Sequence, residues 1–182
     1  MNQKLSFQQS ADVLKQCLKL RIQTEGKKSL NVAKTCEQLG ACLLSLNHHE
    51  DSLKLYTTSL EIYKDLLGDN TPECARLMLN IGTIYSHLQN FELSLIQLNA
   101  CLEFFEEERG KESEEVAAVL LRMGQVYDLQ VDNEEAMNCV TKALDIRTKL
   151  FTKEDPRVAE TYLICGRLLE DWVDLEEVSW PL

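Results

Sequence analysis

Four glycines recur at one fixed interval along the chain. Gly40, Gly82, Gly124 and Gly166 are each 42 residues apart. Three further sets keep the same interval: Leu18, Leu60, Leu102, Leu144; Ala33, Ala75, Ala117, Ala159; and Gly26, Gly68, Gly110, continued by Thr152. Several sets in phase identify an array of repeated units, in which each unit buries its apolar face against its neighbours.

Each unit contains two apolar stripes with helical spacing. In the second unit the stripes follow an i, i+3, i+7 pattern, with the members Met78, Ile81, Tyr85 and Leu95, Leu98, Leu102. Turn-tolerant residues separate the stripes: Asn47-His48-His49, Gln89-Asn90 and Asp132-Asn133. Two helices and two short connections fill 42 residues, so the sequence predicts an all-α fold without strands.

Glycine and proline mark the predicted helix ends. Gly26, Gly68 and Gly110 each follow a second helix, where a left-handed residue commonly closes a helix. Pro72 and Pro156 are placed at the start of the next helix, where a missing N–H costs nothing. The connection that contains Glu112 to Glu115 has no proline.

The glycines of the first set are predicted to lie inside helices, where glycine costs about 1 kcal/mol relative to alanine. We expect that cost to be offset by close approach of the paired helix. Small residues recur opposite, at Ser52, Ser94 and Ala136 and at Cys17, Ser59, Cys101 and Ala143. Large side chains would then hold adjacent hairpins together.

Three motifs carry a resemblance to a known family. They are Met78-x-x-Ile81-Gly82-x-x-Tyr85, Leu120-x-x-Met123-Gly124-x-x-Tyr127 and Ala136-x-x-x-Val140-x-x-Ala143. These motifs resemble the two helix signatures of tetratricopeptide repeats. The 42-residue unit is similar to the variant found in kinesin light chains and nephrocystin-3, most closely over residues 79–85 and 155–161. The resemblance implies a right-handed superhelical array of antiparallel helix hairpins, a tetratricopeptide solenoid.

The repeat boundaries follow from the same alignment. Residues 1–182 form one domain, with a half repeat at 10–31, repeats at 32–73, 74–115 and 116–157, and a partial repeat at 158–182. A first helix is expected over Val158 to Trp172, with its partner starting at Glu176. Both ends are therefore expected to leave a packing face uncovered. A fragment of a longer protein, a truncated isoform and ends that meet another subunit are equally compatible with this pattern.

The resemblance implies that the first helices line a concave groove and that partner proteins bind there. The groove candidates are Arg76, Leu79, Asn80, Thr83, Leu121, Arg122, Gln125, Leu163, Ile164 and Arg167. Leu79, Leu121 and Leu163 share one repeat position and would form an apolar stripe for an extended peptide, with the polar residues beside it. The alternative is that these leucines only pack between neighbouring hairpins.

One subclass of this family binds the C-terminal carboxylates of chaperones through Lys, Asn and Arg residues. At the matching positions this chain has Glu37, Ala41, Asn80, Ala118 and Arg122, so only Asn80 and Arg122 agree. A chaperone-tail receptor is therefore not expected.

Two acidic features are open to a functional interpretation. The run Glu106-Glu107-Glu108, continued by Glu112, Glu114 and Glu115, could steer a basic partner, although a solvated helix end is the simpler explanation. Trp172 is flanked by acidic residues, loosely like the tryptophan-acidic peptides that kinesin light chains accept. Plain helix-end packing is again the simpler explanation.

The sequence contains few residues or motifs that could support catalysis. The three histidines are His48, His49 and His87, and the first two are predicted to lie in a turn. No phosphate-binding loop, H-E-x-x-H motif or paired-carboxylate motif is present, and His48-His49-Glu50 is better explained as a surface turn than as a metal site. We therefore expect a scaffold or adaptor without enzyme activity, cofactor or metal. The alternative is an architectural subunit that self-associates through exposed terminal helices.

Charge and cysteine usage indicate where such a chain works. A net charge of −11 disfavours nucleic acid and anionic membranes as partners. Seven cysteines without a metal-site spacing indicate a reducing compartment. The N-terminus lacks the apolar core of a signal peptide, and the longest aliphatic run, Val116 to Leu121, is too short for a membrane span. The expected location is the cytoplasm, and the resemblance adds the cytoskeleton or a cilium.

Overall fold

The computed structural model describes the backbone of residues 2–178 and the side chains of residues 4–170. This part of the chain contains helices and short connections, without strands. The helices are α1 (Asn2–Glu25), α2 (Leu30–Ser45), α3 (His49–Leu67), α4 (Pro72–His87), α5 (Phe91–Arg109), α6 (Glu114–Leu129), α7 (Asn133–Leu150) and α8 (Pro156–Val178). The chain divides into two compact units, Met1–Gln97 and Leu98–Leu182.

Helix starts follow the period of the sequence. The first helices α2, α4, α6 and α8 begin at Leu30, Pro72, Glu114 and Pro156, which are 42 residues apart. The second helices α3, α5 and α7 begin at His49, Phe91 and Asn133 with the same spacing. The prediction of an all-α repeat fold is confirmed.

Side-chain caps start the first helices, whether or not a proline is present. Ser29, Thr71 and Ser113 accept hydrogen bonds from the third backbone N–H after them, at 3.1, 3.3 and 3.4 Å. Each such cap satisfies one of the unpaired donors of a helix N-terminus. Ser113 therefore explains how α6 begins without the proline that starts α4 and α8.

Left-handed residues end both kinds of helix. Gly26, Gly68 and Gly110 have φ angles of 83°, 98° and 85°, as predicted for residues that follow a second helix. The hairpin turns also contain left-handed residues, at Asn47, Gln89 and Val131. In the third hairpin the sequence predicted the turn at Asp132-Asn133, but Asp132 already caps α7 and Asn133 is its first residue. The left-handed residue of this turn is Val131, which occupies the repeat position of Asn47 and Gln89.

The first hairpin shows how the glycines position two helices in unit 1. The Ser52 hydroxyl of α3 donates to the Gly40 carbonyl at 2.7 Å, and the Ser59 hydroxyl donates to the Ala33 carbonyl at 2.9 Å. From the first bond to the second, the residue number rises on α3 and falls on α2, so the two helices are antiparallel. In the second hairpin Ser94 donates to the Gly82 carbonyl at 2.7 Å. Small residues therefore do lie opposite the glycines, and serine adds a hydrogen bond.

Gly124 makes the closest approach in unit 2. A Cβ added there would lie 2.7 Å from Cγ2 of Val140 and 3.2 Å from the backbone oxygen of Ala136. In unit 1 a Cβ on Gly40 would lie 3.1 Å from the Tyr56 ring. The expected close approach is thus present at these two glycines, although large side chains fill part of the contact. It is not present at Gly166, where a Cβ would have no described neighbour within 4 Å.

Each unit has its own buried core. In unit 1, α2, α3 and α4 bury Val32, Tyr63, Leu77 and Ile84, with Leu18 and Ile22 of α1 packed against them. In unit 2 the fully buried leucine and valine side chains lie on α5, α6, α7 and α8: Leu98, Val116, Val119, Val126, Val140 and Val158. Burial of this apolar surface stabilises the hairpins, since isolated helices of this length are marginal in water.

The last helix is longer than the sequence predicted. Helix α8 continues from Pro156 to Val178, so a partner helix does not start at Glu176. The reason is local, because no glycine or proline occurs between Gly166 and Pro181 to end the helix. The tryptophan-acidic segment around Trp172 lies outside the residues whose side chains are described.

Candidate binding surfaces

In unit 1, an ion pair joins the two first helices. The guanidinium of Arg76 on α4 donates to both carboxylate oxygens of Glu37 on α2, and the Nη2–Oε2 distance is 3.0 Å. Glu37 is only 18% exposed, whereas Arg76 is 49% exposed. A bidentate pair of this kind fixes the relative position of two side chains more strictly than a single bond. The pair therefore fixes the position of Arg76 on α4 relative to α2.

The other predicted residues of unit 1 also lie on α4. Leu79, Asn80 and Thr83 are half-buried, and the Thr83 hydroxyl donates to the Leu79 carbonyl at 2.9 Å. The Thr83 donor is therefore already used inside its own helix. Arg76 and Asn80 are left as the polar side chains of this surface that could bind a partner.

Unit 2 repeats the pairing of first helices with different residues. Arg167 on α8 donates to Asp128 on α6 at 3.1 Å, and Asp128 is 19% exposed. On α6 itself, Arg122 donates to the Oε1 of Gln125 at 3.0 Å. Both arginines remain exposed, so a carboxylate of a partner could reach them by displacing or sharing these bonds.

The predicted leucine stripe is not uniform. Leu163 is 75% exposed and Leu79 is half-buried, but Leu121 is only 5% exposed. A partner could not contact the Leu121 side chain without rearrangement of unit 2, so Leu121 does not support the groove assignment. For this residue the structure agrees with the alternative of packing inside the repeat. Ile164, at the repeat position of Asn80 and Arg122, is half-buried.

Two arginine clusters, one of them buried, were not predicted from the sequence. Arg147 on α7 is only 4% exposed and donates to Glu114, to the Arg157 carbonyl at 3.0 Å and to the Thr161 hydroxyl at 2.9 Å. A further bond reaches Glu160 at 3.3 Å. This arginine thereby ties α6, α7 and α8 together inside unit 2.

The same arrangement occurs in unit 1 at a distance of three periods. Arg21 donates to the Asn31 carbonyl at 2.8 Å and to the Thr35 hydroxyl at 2.6 Å. Arg21 and Arg147 share a repeat position, as do Thr35 and Thr161, so the period itself is the signal that could have found both clusters. The hydrogen bonds of these clusters position the helices.

An open groove lies along α8. It has a volume of about 630 Å³ and is lined by Lys153, Ala159, Tyr162, Leu163, Gly166, Arg167 and Glu170. Tyr162 and Leu163 are 56% and 75% exposed. Exposed apolar side chains of this size beside one another mark an interaction surface more often than isolated ones do.

Two buried cysteine thiols of the hairpin cores are unsuited to nucleophilic chemistry. Burial raises the pKa of the Cys139 thiol to about 11, and burial also raises the pKa of Cys36. Both thiols are therefore protonated near neutral pH, whereas the thiolate is the reactive form. This agrees with the interpretation of these cysteines as small apolar core residues.

The histidines lie at the hairpin turns of unit 1. The His49 and His87 rings are stacked, with centroids 4.9 Å apart. Among the described residues, no group of three His, Cys, Asp or Glu side chains is arranged to hold a metal ion. None of the described helices is long and apolar enough to cross a membrane.

Comparison with known proteins identifies the repeat. Two family models, both described as tetratricopeptide repeat, match residues 32–73 and 73–149. No curated protein matches the chain by sequence.

The solved structures that are similar in fold include two that follow. BtubC (BKLC) of P. vanneervenii is 21% identical, with a TM-score of 0.79 over 94% of this chain and 68% of that one. A Podosopora anserina protein, described as having nearly identical TPR-like repeats of the kinesin light chain kind, is 13% identical. Its TM-score is 0.78 over 96% of this chain and 83% of that one. At these identities the likeness concerns the fold.

Proposed function

Because this chain belongs to the tetratricopeptide repeat family, we propose that it is a protein-binding adaptor that holds peptide segments of a partner against its first helices. Repeats of this family generally mediate protein–protein interaction and typically serve as non-enzymatic scaffolds. The proposal adds the surface and the kind of ligand. The observation that carries it is the ion pair between first helices within each unit, Arg76 with Glu37 and Arg167 with Asp128, in which both arginines stay exposed.

In unit 1 the proposed contact is made by Arg76 and Asn80, with Leu79 beside them. The Glu37 carboxylate already holds the Arg76 guanidinium in place, so little side-chain entropy is lost when a partner binds. An acidic or backbone carbonyl group of a peptide would accept from Arg76 or Asn80. Thr83 contributes shape only, since its hydroxyl is bonded within α4.

In unit 2 the proposed contact is made by Arg122, Gln125 and Arg167, with Leu163 and Ile164 supplying apolar surface. Leu121 is left out because it is buried. The two arginines would bind carboxylates of a partner, which favours a peptide with acidic residues close to an apolar one. This ligand class resembles the one that the kinesin light chain likeness implies.

The remaining sequence-based expectations stand as parts of the proposal. They are the repeat boundaries at residues 32, 74, 116 and 158, a cytoplasmic location with a cytoskeletal or ciliary association, and the absence of enzyme activity, cofactor and nucleic-acid binding. The net charge of −11 supports the last of these. Self-association through exposed terminal helices stays the alternative prediction from the sequence.

Capture of partners by the immobilised full chain tests the proposal. The double variant Asn80→Ala/Arg122→Ala removes one side-chain donor from a first helix of each unit. The matched control, Thr58→Ala/Lys142→Ala, changes two exposed residues on second helices. Proteins that bind the native chain and the control, but not the double variant, would be partners of the proposed surface. Equal capture by all three proteins would contradict it.

A further inference from the structure

A pocket with a volume of about 410 Å³ lies between α5, α6 and α7 in unit 2. This volume is within the range of roughly 300–1,000 Å³ that is usual for ligand sites. Four apolar side chains form its floor: Leu102, Val116, Leu120 and Ile146. Charged side chains complete the lining, and one of them departs from the pattern of the repeat.

Unit 1 has the same set of positions and fills them differently. The four floor positions are occupied there by Leu18, Val32, Cys36 and Ile62. A fifth position holds Ile22 in unit 1 and Glu106 in unit 2. Ile22 packs, together with Leu18, against the buried core of unit 1. A carboxylate thus replaces, in unit 2, an apolar side chain that packs against the core in unit 1.

Glu106 is the charged residue that a ligand inside the pocket would meet. It is half-buried, whereas the other charged residues of the lining are exposed: Lys111, Glu112, Lys142 and Asp145. Glu112 and Asp145 are both bound to Lys149, at 2.8 Å each. The Glu106 carboxylate has no hydrogen bond or ion pair to another described residue. A polar residue that breaks an otherwise consistent core pattern is typical of a functional site.

We propose that this pocket binds an arginine side chain of a partner protein. The aliphatic stem of the arginine packs on the apolar floor, as such stems commonly do on apolar surfaces. Its guanidinium donates to both carboxylate oxygens of Glu106, because the planar fork of arginine matches a carboxylate. A purely apolar side chain would fill the same space but would leave Glu106 without a partner.

The charge around the pocket favours a basic partner. Residues 106–115 contain six glutamates against two basic residues, Arg109 and Lys111. Such a run attracts a basic segment and accelerates its association. A solvated helix end explains Glu107 and Glu108, which are exposed, but it does not explain the half-buried Glu106.

Two lysines at the rim compete with the arginine. In unit 1, Lys64 and Asp69 occupy the repeat positions of Glu106 and Lys111 with the charges exchanged, and they form an ion pair at 3.4 Å. A side chain at position 111 is therefore within reach of one at position 106. Removal of Lys111 should strengthen the binding of a cation and weaken the binding of an anion, so this residue distinguishes the two kinds of ligand.

The pocket and the first-helix surface proposed above have no residue in common. The arginine therefore belongs to a partner separate from the one that binds Asn80 and Arg122. The two proposals can fail independently, because each has its own variants.

NMR of the full chain with labelled leucine, isoleucine and valine methyl groups tests the proposal. The probe is the tripeptide Gly-Arg-Gly with both ends blocked, added in the millimolar range. We expect it to shift the methyl signals of Leu102, Leu120 and Ile146. The same peptide with citrulline has nearly the same shape without the charge, and it should bind about ten-fold more weakly or less. Equal binding of the two peptides, or no shift of these methyl signals by the arginine peptide, overturns the proposal.

Substitutions of Glu106 locate the interaction. Glu106→Ile introduces the residue of unit 1, so we expect a folded chain in thermal unfolding and the loss of the peptide-induced shifts. Glu106→Gln keeps the size of the side chain and should weaken binding by about ten-fold. The matched control is Glu103→Gln, which removes the same charge from an exposed position of α5 outside the pocket. Equal weakening by Glu103→Gln and Glu106→Gln would mean that general charge, and not the pocket, attracts the peptide, and it contradicts the proposal.

The Lys111→Ala variant decides the sign of the ligand charge. It should bind the arginine peptide more tightly than the native chain does. Weaker binding of the arginine peptide, or binding of the blocked tripeptide Gly-Glu-Gly that depends on Lys111, would assign the pocket to an anion and overturn the proposal. The double variant Asn80→Ala/Arg122→Ala should bind the arginine peptide as the native chain does. A loss of binding in that variant would contradict the separation of the two surfaces.

Discussion

Arg147 and Glu114 form a bidentate ion pair between α7 and the first turn of α6, with Nη2–Oε1 and Nε–Oε2 distances of 2.9 and 3.3 Å. Arg147 is 5% exposed at its side chain and Glu114 is 27% exposed. The same guanidinium also bonds to the Arg157 carbonyl and to Thr161 on α8. A single buried side chain thus joins three helices of unit 2 and satisfies several acceptors at once.

Arg147→Ala should therefore destabilise unit 2 strongly. Removing one partner of a buried pair costs about 3–5 kcal/mol, and we expect about 2–3 kcal/mol because Glu114 remains partly solvated. Urea unfolding followed by circular dichroism measures the change. The matched control is Arg21→Ala, at the same repeat position, which removes bonds to Asn31 and Thr35 without breaking a buried ion pair. Equal losses in the two variants would show that the ion pair contributes little.

The glycines at one repeat position should respond in opposite ways to substitution by leucine. In Gly124→Leu the new Cβ meets Val140 and the Ala136 backbone oxygen, so we expect a loss of about 1–3 kcal/mol or more. In Gly166→Leu the added side chain has open space, and the better helix propensity should give a gain of up to about 1 kcal/mol in the unfolding free energy of the monomer. Thermal unfolding at a concentration that keeps the chain monomeric separates the two. Similar destabilisation by both changes would mean that Gly166 is covered within its own chain.

Val131 is held in a conformation that β-branched residues rarely adopt. Its φ is 62° in the turn between α6 and α7, and its side chain is 66% exposed. Val131→Asn should stabilise the protein by about 1 kcal/mol, since asparagine tolerates this region and little apolar contact is lost. Val13→Asn is the matched control, because Val13 is also 66% exposed but lies within α1. An equal gain in unfolding free energy in Val13→Asn would contradict the argument that Val131 is strained.

Asp155, just before α8, should titrate well below an ordinary aspartate. Side-chain and backbone hydrogen bonds from Arg157 lower its pKa from 3.8 to about 2. The carboxylate therefore stabilises the folded state above the unfolded pKa of 3.8, and this contribution is lost as the pH falls towards 2. NMR titration of the Asp155 carboxyl carbon should give a pKa of about 2, and Asp155→Asn should remove this part of the acid dependence of stability. A measured pKa near 3.8 would show that the Arg157 bonds do not persist in solution.

The fold was accessible from the sequence because one interval governs it. Gly26, Gly68 and Gly110 predicted the ends of three second helices. The 42-residue spacing predicted where the remaining helices begin. The left-handed turn at Asn47, Gln89 and Val131 and the caps at Ser29, Thr71 and Ser113 keep the same interval. The turns at Asn47 and Gln89 were predicted, but the one at Val131 was not, because valine is a poor turn signal. The caps were not predicted either, because the proline that marks α4 and α8 drew attention away from the residue before it.

The candidate binding surfaces were harder to predict from the sequence than the fold, for a physical reason. Leu121 and Leu163 share a repeat position, yet one is buried and the other is 75% exposed. That difference depends on which helix lies beside each leucine and not on the local pattern. The pairing of Arg76 with Glu37 and of Arg167 with Asp128 joins residues 39 positions apart, so neither pair could be read from local spacing.

Photo-crosslinking to a captured partner tests most directly whether the first helices form the binding face. A photoreactive amino acid is placed at position 122 on α6 in one protein and at position 142 on α7 in another; the native residues, Arg122 and Lys142, are both exposed. We predict that the partner becomes crosslinked from position 122 and not from position 142. Crosslinking from position 142 alone would place the partner on the second helices and contradict the account.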